Sequence, residues 1–320
     1  MNTEKINFKV ARDFGETFNV SVKFLRQNFR SFFGSIILIA GPLILIAAVS
    51  GAFYQSNALT MMSPKRILMN DADPFAQFGL TYFLFIIASL LSHLALLGTT
   101  FAYMVAYQEK GPGNITTSDV SRILFRNTGR IIGGFFLYTL LIIIAVIIVV
   151  LIIAGLSAIA PALGILMGVL LFFGILVIAP PFMWQFSVFY LAAMQDDIGV
   201  TEAMSKTRSV MKDNFWWTWV IVVCAGIAIA IIGVVFAMPQ FIYQMILMIS
   251  NIKDGTGEIS IPFIVVSSIC TFFVQVIYSI YYIISGFHYY SLAEKKGGDG
   301  LLERIDEIGK VNQTDVNQTY

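Results

Sequence analysis

Apolar residues gather into six long runs, at Ser31–Tyr54, Phe75–Tyr107, Ile131–Leu156, Ala160–Met194, Phe215–Met238 and Ile261–Ala293. Each is long enough to supply the ~20 residues that cross a hydrocarbon core as helix. The second, fourth and sixth exceed that length, which predicts tilt or a helical extension beyond the membrane. Pro180-Pro181 removes two neighbouring backbone donors and predicts a kink in the fourth span.

Between the runs the pattern changes to helical amphipathicity. Phe14, Phe18, Val22, Leu25 and Phe29 recur every three or four residues, with Glu16, Lys23 and Arg26 between them. Val200, Met204, Arg208 and Met211 mark a weaker face of the same kind. Such helices are expected in the headgroup region, with Lys and Arg toward lipid phosphate.

Three entries into odd-numbered spans resemble one another. They read Phe24-Leu25-Arg26-Gln27-Asn28-Phe29-Arg30, Leu124-Phe125-Arg126-Asn127-Thr128-Gly129-Arg130 and Val210-Met211-Lys212-Asp213-Asn214-Phe215-Trp216. Three exits from even-numbered spans also match. Tyr103, Tyr190 and Tyr289 each precede a Gln or Glu by five residues, at Gln108, Gln195 and Glu294. Tyrosines at this depth are expected at the interface, and Gly111, Gly199 and Gly297 are expected to end the helices.

The expected fold is therefore an all-α integral membrane protein. Its six transmembrane helices form three parallel-repeat hairpins, each preceded by a cytoplasmic interfacial amphipathic helix. The boundaries are 1–109, 110–196 and 197–296 for the repeats and 297–320 for a cytoplasmic tail. The alternative is chance likeness among apolar hairpins. A short run in the tail, Leu301, Leu302, Ile305 and Ile308, resembles a reduced further copy of the interfacial helix. Phe241, Ile242, Met245 and Met248 predict a short apolar helix lying on or dipping into the outer leaflet.

Composition agrees with lipid as the solvent. Of the 320 residues, 58% are hydrophobic and 12% charged, against about 25% charged in soluble domains. Charge sets the orientation. Of the Lys and Arg residues, 17 fall on the side of both termini and 3 on the other, Lys65, Arg66 and Lys253. That places both ends in the cytoplasm of a bacterial inner membrane. No cleavable signal peptide is expected, because the first thirty residues lack an apolar core. Cys224 and Cys270 lie in apolar runs and read as small buried side chains.

Residues 197–208, Asp-Ile-Gly-Val-Thr-Glu-Ala-Met-Ser-Lys-Thr-Arg, run into Asn214-Phe215-Trp216-Trp217. This acidic-Gly turn, small-residue helix and basic-Asn-aromatic entry resemble the membrane domain associated with some bacterial glycerophosphodiester phosphodiesterases and related bacterial membrane families. The resemblance implies no hydrolase activity, since the phosphodiesterase catalytic domain is not in the sequence.

Candidate chemistry is sparse. The spans hold no Lys, Arg, Asp or Glu in their interiors, which argues against proton-coupled transport and channel readings. No Gly-x-Ser-x-Gly, His-Glu-x-x-His, P-loop or Cys-x-x-Cys motif occurs. The expectation is no enzyme, no cofactor, no metal and no nucleic-acid partner. The intramembrane polar candidates are His93, Gln185 and Gln275, each a possible ligand contact or an ordinary interhelical hydrogen bond. His288 lies near the cytoplasmic interface, where exposure of its ring would cost little. Arg26, Arg126 and Lys212 are candidate lipid-phosphate contacts or ordinary positive-inside charge. Gly164-x-x-x-Gly168 and Gly226-x-x-x-Ala230 would let helices approach closely. Two functions follow: a structural or scaffold subunit of an inner-membrane complex, whose partners are membrane lipids and other membrane subunits, or a lipid-handling or small-molecule transport protein.

Overall fold

A computed structural model describes residues 4–61, 79–254 and 260–298. The tail run Leu301–Ile308 and most of the first outer loop lie outside them. Nine helices occur among the described residues: α1 Phe14–Ile39, α2 Gly41–Met61, α3 Leu80–Lys110, α4 Thr117–Ile159, α5 Pro161–Asp196, α6 Val200–Lys212, α7 Phe215–Asp254, α8 Ile261–Ile277 and α9 Ser279–Gly297. Six helical segments are long and apolar enough to cross a membrane, so this is a multi-pass membrane protein.

Several starts follow from local chemistry. Asp13 and Glu16 form a capping box at α1, with Glu16 N donating to Asp13 Oδ1 at 2.8 Å. Thr116 and Asp119 do the same at α4. Each box satisfies backbone donors that have no partner inside the helix. Stops differ in part from expectation. Gly111 does end α3 in a positive-φ conformation. Asp197, at φ 55°, rather than Gly199, ends α5, and Gly298 rather than Gly297 ends α9. Gly199 instead precedes α6 with φ −70°. Asp tolerates the left-handed region better than most residues, and its carboxylate is held by Arg130 at 2.6 Å.

The first span is divided at Ala40 between α1 and α2, and the sixth at Tyr278 between α8 and α9. Both junctions stay close to helical, with φ −87° at Ala40 and −60° at Tyr278. The helical assignment of α5 continues through Pro180 and Pro181. The short outer helix is corrected: residues 240–254 continue α7 past Pro239, and Phe241, Ile242, Met245 and Met248 are exposed on it.

The core lies where the even-numbered spans end. Every residue from Phe101 to Tyr107, from Ser187 to Met194 and from Tyr281 to Leu292 is buried. Helices buried on all sides form the centre of a bundle. Around them, α1 packs on α3 and α9, α4 on α3 and α5, and α6 on α5 and α9. At the tip, Gln108 Nε2 donates to Gln195 Oε1 at 3.0 Å, and the Tyr290 hydroxyl donates to the same oxygen at 3.1 Å. Tyr103, Tyr190 and Tyr289 are 0%, 1% and 2% exposed. They point into this core and are not interfacial anchors, because the three exits pack on one another.

The inward face of each amphipathic helix is shifted from the expected stripe. On α1 the buried positions are Thr17, Ser21, Phe24, Asn28, Phe32, Ser35 and Ile36, whereas Val22 and Phe29 are exposed. On α6 they are Ala203, Thr207 and Val210. Phe14, Phe18 and Leu25 of α1, and Val200, Met204 and Met211 of α6, still pack against the core from the flank. Small and polar side chains share the inward face because they permit close helix contact.

An extended N-terminal segment before α1 covers the core tip. Ile6 N donates to the Tyr107 hydroxyl at 2.9 Å. Phe8 is buried against Phe24, Tyr107, Phe287 and Tyr290, with ring centroids 4.7–6.0 Å away. Arg12 N donates to Ser291 Oγ at 2.8 Å, and Ser291 Oγ donates back to Arg12 O at 3.1 Å. The Arg12 guanidinium donates to the carbonyls of Asn7, Phe8 and Val10 and lies 5.6 Å from the Phe287 ring centre. Burial lowers its pKa from the ordinary arginine value, and Glu16 acts in the opposite direction. Arg12 is thus a buried structural cation, not one of the exposed positive-inside charges.

Candidate functional site

Three asparagines mark a shared register. Asn28 Nδ2 donates to Phe24 O and Asn127 Nδ2 to Ile123 O, both at 2.9 Å, and Asn214 Nδ2 donates to Val210 O at 3.4 Å. Each is the bond from a side chain to the carbonyl four residues earlier, available to short polar groups on a helix. Four residues beyond each asparagine lies a buried Phe32, Ile131 or Thr218, and seven beyond lies a buried Ser35, Gly134 or Ile221.

In this register Arg26 and Lys212 precede their asparagine by two residues, but Arg126 precedes Asn127 by one. Phe125 takes the matching place. All three basic residues are exposed, on α1, α4 and α6. Arg130 is more firmly engaged. It donates to Asn127 Oδ1 and Asp197 Oδ1, both at 2.6 Å, tying α4 to the α5–α6 turn.

The hydrogen bond and charge from Arg130, with a smaller effect of Arg126, hold the Asp197 carboxyl below its ordinary pKa. A depressed carboxyl stabilises the fold above its unfolded pKa of about 3.9 and loses that effect as pH falls through its lowered value. Amide exchange at Ile198 and Gly199 is therefore expected to change little from pH 7 to 5 after correction for intrinsic rates. It should accelerate below pH 4, and Asp197→Asn should remove that acid step.

The intramembrane polar residues separate into two groups. Gln185 is 7% exposed, with Nε2 3.5 Å from Met204 O, between α5 and α6. His288 is fully buried rather than exposed. Its Nε2 lies 3.1 Å from Thr218 Oγ1 and its ring 5.2 Å from Trp184. These are packing contacts within the bundle.

His93 and Gln275 come together on one cleft of about 430 Å³. Its walls are Phe85, Ile86, Ser89, Leu90, His93 and Leu94 of α3, Phe135 of α4, Phe186 of α5 and Gln275 of α8. His93 Nε2 and the Tyr282 hydroxyl are hydrogen-bonded at 2.6 Å, and Gln275 Nε2 donates to Ser92 Oγ at 2.6 Å. Tyr278, at the α8–α9 junction, lies 6.0 Å from the His93 ring. Gln275, Tyr278 and Tyr282 follow one another around this junction, and of the three Gln275 lines the cleft. A second cavity of about 440 Å³, between α2 and α3, has only Ser50 and Thr81 among its polar lining residues. Ser50 Oγ already donates to Ile46 O at 2.8 Å.

Phe135 of α4 and Phe186 of α5 line the cleft close to the stretch in which these helices are exposed. Between residues 140 and 180 these helices bury only Gly164, whose missing Cβ leaves room for Ser157 across the hairpin. Gly168 and Gly226 meet nothing within 4 Å at the corresponding position, so the two small-residue motifs are not both contact sites. Among the described residues, no group of three or more His, Cys, Asp or Glu could hold a metal. Cys224 and Cys270 are free, half-buried and buried respectively.

The sequence profile of a family described as a domain of unknown function, DUF8558, matches residues 47–318. No curated protein and no solved structure shows a match.

Proposed function

The chain belongs to the DUF8558 family, and we propose that it is a non-enzymatic lipid-handling protein that admits an amphiphile sideways from the bilayer. The observation carrying this reading is that His93 and Gln275 line one largely apolar cleft, with Ser89 as the other polar lining residue. Its volume lies within the ~300–1,000 Å³ of small-molecule sites, where a few polar groups in an apolar lining fix a ligand's orientation.

The length of the exposed α4–α5 arm supports the placement. Leu140–Ile159 contains 20 residues, about 30 Å of helix at 1.5 Å per residue. That equals the ~30 Å hydrocarbon thickness, so lipid alone can cover the arm. Phe135 lies five residues toward the core end, about 7.5 Å by the same rise. The polar floor would then sit near the inner headgroup boundary, with the ligand's chain along the arm.

The same proposal includes a threefold parallel repeat over 1–109, 110–196 and 197–296, a tail over 297–320, cytoplasmic termini and a bacterial inner membrane. The three asparagine bonds and the common buried register support the repeat. The basic excess supports the orientation, with Arg26, Arg126 and Lys212 as surface charge toward anionic headgroups.

Native mass spectrometry of the chain, gently extracted, tests the function. Wild type is expected to carry a lipid adduct. Leu90→Trp, at the cleft mouth, should lose it, while the triple Arg26→Ala, Arg126→Ala, Lys212→Ala variant retains it. Absence of an adduct, or one unaffected by Leu90→Trp, would reject the reading.

A further inference from the structure

We infer that the cleft selects an uncharged lipid whose head carries hydroxyl and carbonyl groups, of the diacylglycerol class. This rests on the lipid-handling reading and adds the ligand's charge and head chemistry.

The lining residues include no Lys, Arg, Asp or Glu. A phosphate head would enter without a cationic partner, although such heads are held by Arg forks or Lys charges. A cationic head would lack a carboxylate. Either charge would be desolvated without compensation. Arg130, on the helix that supplies Phe135, is engaged by Asn127 and Asp197. Arg26, Arg126 and Lys212 are not lining residues.

What the cleft offers instead is neutral hydrogen bonding. A carboxamide has two donor hydrogens and an acceptor oxygen, and the Ser92 bond uses one donor hydrogen of Gln275. The His93 ring has a second nitrogen beyond the one paired with Tyr282. A hydroxyl can donate to such acceptors and an ester carbonyl can accept from such donors. Phe135, Phe186 and Leu90 provide the apolar wall for a hydrocarbon chain.

The test uses the full chain in phosphatidylcholine nanodiscs with two photoreactive probes of matched chains, a diacylglycerol and a phosphatidylglycerol. Labelled peptides are mapped by mass spectrometry. The diacylglycerol probe should label the 85–94 segment and the Gln275 region, with competition by dioleoylglycerol and not by dioleoylphosphatidylglycerol. His93→Phe with Gln275→Leu should reduce labelling about fivefold to tenfold, as expected for losing two hydrogen bonds. If that pair does not fold, Leu90→Trp, which leaves both polar bonds intact, should reduce labelling by at least a similar factor. Equal or stronger cleft labelling by the anionic probe overturns the neutral-head inference while the lipid-handling reading stands. No cleft labelling by either probe overturns both.

Discussion

Phe8→Ala is expected to free the N-terminal segment from the core tip. Phe8 is 3% exposed and touches rings from α1, α3 and α9. Truncating a buried Phe to Ala costs about 3–5 kcal/mol, through lost transfer energy and the cavity left behind. The segment is held at its other end by the Arg12–Ser291 bonds, so the loss is expected to appear first as local release. Limited proteolysis should cut between Glu4 and Arg12 much faster than in wild type, and thermal unfolding in detergent should begin at lower temperature. Phe8→Leu, which retains most of the apolar volume, should restore much of the protection. Unchanged proteolysis in Phe8→Ala would show that the ring contacts do not hold the segment.

Gly134→Val is the second large effect, and it arises from overpacking. A Cβ at Gly134 would sit 2.2 Å and 2.6 Å from atoms of the Phe189 ring and 3.2 Å from Tyr190. Phe189 has no space into which to withdraw, being fully buried, stacked on Tyr138 at 5.1 Å and packed on Tyr190 at 3.9 Å. Forcing carbon into such a site costs typically 1–3 kcal/mol and occasionally more. Here α4 must separate from α5, so a value at or above the upper end is expected. Gly133→Val is the control, because a Cβ there meets nothing within 4 Å. Thermal denaturation of both variants should show a clear loss for Gly134→Val and little change for Gly133→Val. Equal stability of the two would contradict the close approach of α4 and α5.

These variants also show where sequence reasoning reached and where it stopped. Gly133 and Gly134 are indistinguishable in a list of residues. Only the orientation of α4 makes one indispensable and the other replaceable. Phe8 lies in a polar, mixed-charge stretch, and a short segment without periodicity gives no signal that it will be buried. In the sequence Arg12 reads as one more cytoplasmic charge, because a buried guanidinium cannot be recognised without its carbonyl partners. His93 and Gln275 were visible as polar residues in apolar runs. Their union in one cleft depends on how α3 and α8 meet, and nothing in the spacing separates them from Gln185, which only joins two helices.

The sequence by itself determined the helical character and the number of long apolar segments. These depend on local composition and length, because lipid imposes the same demand on every spanning segment. The tertiary structure decided which stripe of each amphipathic helix turns inward. A hydrophobic stripe reads as a core face in water, but in lipid it is equally satisfied outside, so periodicity alone cannot assign it. Contact with neighbouring helices settled the matter, sending Asn28, Thr207 and the exit tyrosines in and Phe29 out.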